Sequence, residues 1–194
     1  MLSMLDLIGA YENYLTNTDE TGAKYSAVEC VLSHVCELSI IGSHFIALNA
    51  SVVFEGPNSK KLLIEDSAFE TGTGRMILTG SKAVIKNCDF VCGTLIYASA
   101  PFASLDVYIS NCRIKASSYI FSRRNNNNGK FLFANNVIFG NLGRFYYSGE
   151  TSDCTGVTLL NNYMFNMSDA FKLGAENEIG NIVSLNNYVN GASV

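Results

Sequence analysis

Apolar and polar residues alternate with a period of two in short stretches that recur along most of the chain. LLIEDSAF (62–69), AVIKNCDF (83–90), VYISNCRI (107–114), FLFANNVI (131–138), VTLLNNYMF (157–165) and IVSLNNYV (182–189) share one outline, and LSIIGSHF (38–45) is a weaker copy. In each, apolar residues such as Leu62 and Ile64, Val107 and Ile109, or Val157 and Leu159 stand two apart. That is the spacing of a strand with one buried face. Each stretch then breaks at a small or amide pair and resumes with another apolar residue.

Taking the first residue of each pair as an anchor gives Gly42, Asp66, Asn87, Asn111, Asn135, Asn161 and Asn186, separated by 24, 21, 24, 24, 26 and 25 residues. A period in this range marks stacked supersecondary units. With strand-type alternation and no leucine consensus, the units predict an all-β parallel solenoid of about seven coils. Gly, Asp and Asn tolerate the left-handed backbone that a sharp bend needs. The second position of the pair is Ser43, Ser67, Cys88, Cys112, Asn136, Asn162 or Asn187. Neighbouring coils lie about 4.8 Å apart, so these side chains form a column inside the bend, where stacked amides bond one another. Asn87, Asn111, Asn135, Asn136, Asn161, Asn162, Asn186 and Asn187 are therefore read as a structural ladder. Two positions beyond the column, Phe45, Phe69, Phe90, Ile114, Ile138, Met164 and Val189 form an apolar core ladder.

Composition narrows the function classes. Hydrophobic residues make up 48% of the 194 and charged residues 15%, a balance that favours strands buried on at least one face. A net charge of −4 provides no basic field for nucleic acid. No apolar run reaches the roughly 20 residues of a membrane span. Six cysteines without a CxxC pair, and two histidines, do not form a zinc pattern, so free buried thiols and no metal or cofactor are expected.

The repeated motif, alternating apolar residues followed by Asn-Asn or Asn-Cys and a further apolar residue, resembles the right-handed parallel β-helix of the pectate-lyase-like superfamily over roughly residues 38–189. That resemblance implies contact with complex polysaccharide, as catalyst or as adhesin, and a place on a virion or cell surface. By analogy with bacteriophage tailspikes it implies homotrimeric assembly. The polygalacturonase-like tripeptides Asn17-Thr18-Asp19 and Arg113-Ile114-Lys115 occur without the adjacent Asp pair or Gly-His-Gly that accompany them in that family, so both are read as chance matches. The expectation is a non-catalytic polysaccharide-binding or appendage-forming protein. A polysaccharide lyase or hydrolase, or a purely structural assembly module, are the alternatives.

The remaining expectations follow from position. Met1, Met4, Leu5, Ile8, Tyr11 and Leu15 make a helical apolar stripe, so residues 1–15 are assigned to an N-terminal capping helix, 16–36 to a linker and irregular first coil, and 37–194 to the β-helix. The N-terminus has no signal-peptide pattern, and with Met1 as the native start synthesis is cytosolic. Counted back from the anchors, Tyr97, Phe121, Tyr147 and Lys172 share a column, flanked by Tyr119 and Phe145 on one side and Arg123 on the other. The charges place this face outward, as an aromatic ladder for carbohydrate or for a neighbouring subunit. Asp153 and Glu178 share an offset and are the weak catalytic candidates, two carboxylates being the minimum for glycoside hydrolysis.

Overall fold

The computed structural model describes residues 26–31, 37–46, 51–55, 61–78, 82–98, 106–123, 129–140, 146–148, 156–167 and 183–193. Within them the chain is an all-β parallel solenoid whose strands stack into three sheets. The first sheet joins Ser26–Val31, Ser51–Glu55, Arg75–Leu78, Thr94–Ala98, Phe121–Arg123 and Tyr146–Ser148. The second joins Glu37–Ile41, Lys61–Glu65, Lys82–Lys86, Asp106–Ser110, Phe131–Ala134, Val157–Leu160 and Val183–Leu185. The third joins His44–Ile46, Ala68–Glu70, Asp89–Cys92, Arg113–Ala116, Val137–Gly140, Tyr163–Phe165 and Tyr188–Val189. A short antiparallel strand, Ala192–Ser193, folds back onto Tyr188–Val189 at the edge of the third sheet.

About four turns, between residues 61 and 140, form near-continuous described arcs, rather than the seven coils expected from the repeat. The seven motif copies correspond to the seven strands of the second sheet. The expected capping helix at 1–15 lies outside the described residues. Of the expected linker, Ser26–Val31 is a strand, paired with Ser51–Glu55 through an irregular register.

The bend between the second and third sheets explains the repeated pair. Its first residue is left-handed in every copy, with φ of +60° at Gly42, +50° at Asp66 and +52° to +57° at Asn87, Asn111, Asn135, Asn161 and Asn186. This conformation turns the next backbone N–H away from the sheet ladder, so the group needs another acceptor. The side chain one coil further on supplies it. Asn136 Oδ1 accepts from Cys112 N at 2.9 Å, Asn162 Oδ1 from Asn136 N at 3.0 Å, and Asn187 Oδ1 from Asn162 N at 2.9 Å. Ser67 Oγ does the same for Ser43 N at 3.1 Å. Each amide nitrogen reaches back to a strand carbonyl: Asn136 Nδ2 to Ile109 O, Asn162 Nδ2 to Phe133 O and Asn187 Nδ2 to Leu159 O. Asn136 and Asn162 also donate to the next amide oxygen in the column. A buried polar residue is thereby satisfied at both ends.

The core fills the space between the sheets. Phe45, Phe69 and Phe90 stack at 4.8 and 5.2 Å, with interplanar angles of 9° and 12°. Where that ladder changes to Ile114 and Ile138, bulk arrives from the other sheets, as Phe121 packs 4.1 Å from Phe131. Large and small residues thus exchange places between sheets, which keeps the interior close-packed. Cys88, Cys92 and Cys112 are free and buried. Burial pushes the Cys92 thiol up to about 12. A hydrogen bond from Cys112 lowers the Cys88 thiol, while the same contact, with burial, raises that of Cys112.

Candidate functional site

The residues on either side of the third sheet's core ladder point outward, because side chains alternate along a strand. They form two columns held in register from coil to coil. One runs His44, Ala68, Asp89, Arg113, Val137, Tyr163 and Tyr188. The other runs Ile46, Glu70, Val91, Lys115, Phe139 and Phe165.

The face changes character along its length. Its earlier coils are polar and charged, with a hydrogen bond between His44 Nε2 and Glu70 Oε1 at 2.9 Å and Arg113 Nε at 3.7 Å from Asp89 Oδ1. Both pairs are largely exposed, so they contribute little to stability. From Val137 onward the face is apolar and aromatic. Phe139, Tyr163, Phe165 and Tyr188 are 40–50% exposed, which leaves much of four rings in solvent. Phe139 and Phe165 stack at 5.3 Å and 19°, and Tyr163 and Tyr188 at 5.1 Å and 8°. These separations match the strand spacing of about 4.8 Å. Near-parallel rings that close cover part of each other's faces, leaving edges along the stack and a free face at its ends.

Two shallow grooves cross this face. One, of about 410 Å³, lies between the columns, with Ala68, Phe69 and Phe90 beneath and charged residues on its rims. The other, of about 380 Å³, follows the corner where Gly72, Ala116, Ser117 and Gly140 leave room beside Val91. Val91, Lys115 and Phe139 line both. Among the described residues no group of three His, Cys, Asp or Glu side chains is placed to hold a metal ion. The surface can make apolar contacts, hydrogen bonds and weak charge contacts.

The first-sheet ladder is arranged differently from the expectation. Phe121 is fully buried against Phe131 and Phe133 and does not face outward. Its backbone partners are Ile96 and Tyr146, while Tyr97 and Tyr147 both pair with Ser122, so no continuous aromatic column forms. The cause is a register offset. Ile96 pairs 25 residues on with Phe121, whereas the second sheet advances 24 residues from Val107 to Phe131. A one-residue offset exchanges the two faces of a strand. Leu95, two residues before Tyr97, is buried next to buried Ile96 where the register shifts. Tyr119 is half-buried, and Arg123 pairs through its backbone with Ala98 and Ser148. Phe145, Lys172, Asp153 and Glu178 lie outside the described residues.

The residues that the expectation passed over are Val137, Phe139, Tyr163, Phe165 and Tyr188. A signal for them exists in the chain. NNVIF, NNYMF and NNYV carry unbroken apolar runs where the earlier copies read NCDF and NCRIK. A strand with one face in the core needs only every second residue apolar, so the extra ones are surplus to packing. No family model, curated protein or solved structure matches the chain.

Proposed function

We propose that the protein is a non-catalytic polysaccharide-binding component of a cell surface or virion, of the right-handed pectate-lyase-like β-helix type that its repeat resembles. The outer face of the third sheet is its sugar-contacting surface. The observation that carries this reading is the two exposed ring pairs, Phe139 with Phe165 and Tyr163 with Tyr188, on a face where Phe139 also lines two shallow grooves. Sugar rings present apolar C–H patches and a rim of hydroxyls. Aromatic edges and faces meet the first, and neighbouring amides, charges and phenol hydroxyls meet the second. Exposed contiguous apolar surface on a protein marks an interaction site. Homotrimeric assembly belongs to the proposal by the same resemblance.

The test incubates the purified protein with a panel of acidic and neutral polysaccharides, following binding and newly released chain ends. Binding without release is expected, weakened about tenfold or more by the Tyr163→Ala/Tyr188→Ala double substitution. Release of chain ends would replace this reading with a lyase or hydrolase. Neither binding nor release would leave a structural assembly module.

A further inference from the structure

A second surface feature runs beside the aromatic columns. The anchor residues Asn87, Asn111, Asn135, Asn161 and Asn186 are exposed and stand two residues before Asp89, Arg113, Val137, Tyr163 and Tyr188. Their side chains form two runs of the same polarity, one from Asp66 to Asn111 and one from Asn135 to Asn186, with no hydrogen bond joining Asn111 to Asn135. Asn87 Nδ2 donates to Asp66 Oδ1 at 3.1 Å, Asn111 Nδ2 to Asn87 Oδ1 at 3.4 Å, Asn161 Nδ2 to Asn135 Oδ1 at 3.1 Å and Asn186 Nδ2 to Asn161 Oδ1 at 3.3 Å. The buried row one residue further on runs the opposite way, with Asn136 donating to Asn162 and Asn162 to Asn187.

A primary amide has two hydrogens on nitrogen and two lone pairs on oxygen. Each row contact uses one hydrogen of its donor and one lone pair of its acceptor, so donor and acceptor capacity is left on the solvent side at each step. The left-handed backbone, with φ of +52° to +57° along Asn87 to Asn186, holds these amides at a rigid corner. The outcome is an array with one amide per coil, and beside Asn135, Asn161 and Asn186 one apolar or aromatic side chain per coil.

We propose that this array is the recognition track for an extended, unbranched glycan lying parallel to the solenoid axis, with one sugar per coil. The inference rests on the polysaccharide reading above and names the ligand's geometry. Each sugar places a rim hydroxyl on an exposed asparagine and its C–H patch on Val137, Tyr163 or Tyr188. A chain that advances about one strand spacing per sugar, about 4.8 Å, stays in step with successive coils. A coiled or densely branched polymer falls out of step and keeps only isolated contacts. Pre-set amides lose little freedom on binding, which favours this arrangement over a row of flexible polar side chains.

Glycine offers a clean deletion, because it accepts positive φ and removes only the side chain. The experiment titrates wild type, Asn135→Gly/Asn161→Gly and Tyr163→Ala/Tyr188→Ala with β-1,4-linked oligosaccharides graded from disaccharide to hexasaccharide. Circular dichroism confirms the fold of each variant. For wild type, affinity is expected to climb with each added sugar. The double glycine variant is expected to bind the longest oligomer about 25-fold more weakly, at about fivefold per lost amide, with a flatter dependence on length. Affinity independent of length, or a glycine variant that binds like wild type, overturns the track while the aromatic contact stands. So does a wild type that binds other glycans of the panel and none of this series. A wild type that binds no glycan overturns the polysaccharide reading and the track together.

Discussion

Asn161 and Asn162 are neighbours of one residue type with different physical tasks. Asn161 is exposed and left-handed, and backbone sterics restrict which residues can stand there. A Cβ without a polar side chain costs about 1–2 kcal/mol in that conformation. Asn161→Ala is therefore expected to be less stable than Asn161→Gly by about 1 kcal/mol in urea unfolding, and equal stabilities would refute the steric account. Asn162 is buried, accepts from Asn136 N and Nδ2, and donates to Phe133 O and Asn187 Oδ1. Asn162→Leu keeps the volume but strands donors and acceptors on both sides, at a cost of about 3 kcal/mol or more. A loss below about 1 kcal/mol would mean that the column is not a connected support.

Cys92 adds a pH-dependent case. Its thiol is pushed by burial from 9.0 to about 12 in the fold, so the unfolded chain gives up this proton first. The contribution is fully present below pH 9 and is lost as pH rises towards 12, at about 1.4 kcal/mol per unit. The stability gap between wild type and Cys92→Ala should stay level from pH 7 to 8.5 and narrow above pH 9. Urea titrations of both proteins across that range give the answer, and comparing them cancels the other groups that titrate there.

At the scale of elements, the corner into the first sheet is tighter than the asparagine bend. Gly93 N donates to Gly74 O at 2.7 Å, and a Cβ on Gly93 would collide with the backbone oxygen of Thr73. At Gly140 the first obstacle is the Met167 sulfur, the flexible end of a side chain, with Asn166 O at 3.0 Å behind it. Gly93→Ala is expected to lower the thermal midpoint by about 10 °C, for about 3 kcal/mol of strain, and Gly140→Ala by much less. Equal shifts would show that the Gly93 corner can relax. The second and third sheets were legible because one bend, with its own residue signature, joins them at constant length. The first sheet has no such signature. A fixed count from the anchors missed its one-residue offset and put Phe121 outside instead of inside.

The whole molecule is a one-dimensional stack in which each coil contacts its neighbours, so stability varies along the axis. Coils between residues 82 and 140 are flanked on both sides and contribute much of the fully buried core. Ala192–Ser193 covers the edge of the third sheet, while Val183 and Leu185 on the last strand of the second sheet are more than half exposed. Hydrogen exchange should therefore be at least about tenfold faster at Val183–Leu185 than at Phe131–Ala134. Uniform protection would indicate a single cooperative unit.

The sequence by itself determined what is local and repeated. Alternation of period two specifies strands, and the Asn pair specifies a left-handed bend followed by a buried amide. The near-constant spacing stacks these units in parallel, because each signal acts within a few residues and is restated in every coil. Only the tertiary structure decided what depends on the path between signals. It set the register of the first sheet and the inward turn of Phe121. Those outcomes follow from connector lengths and from volume exchange across the core. Neither leaves a mark at any single residue.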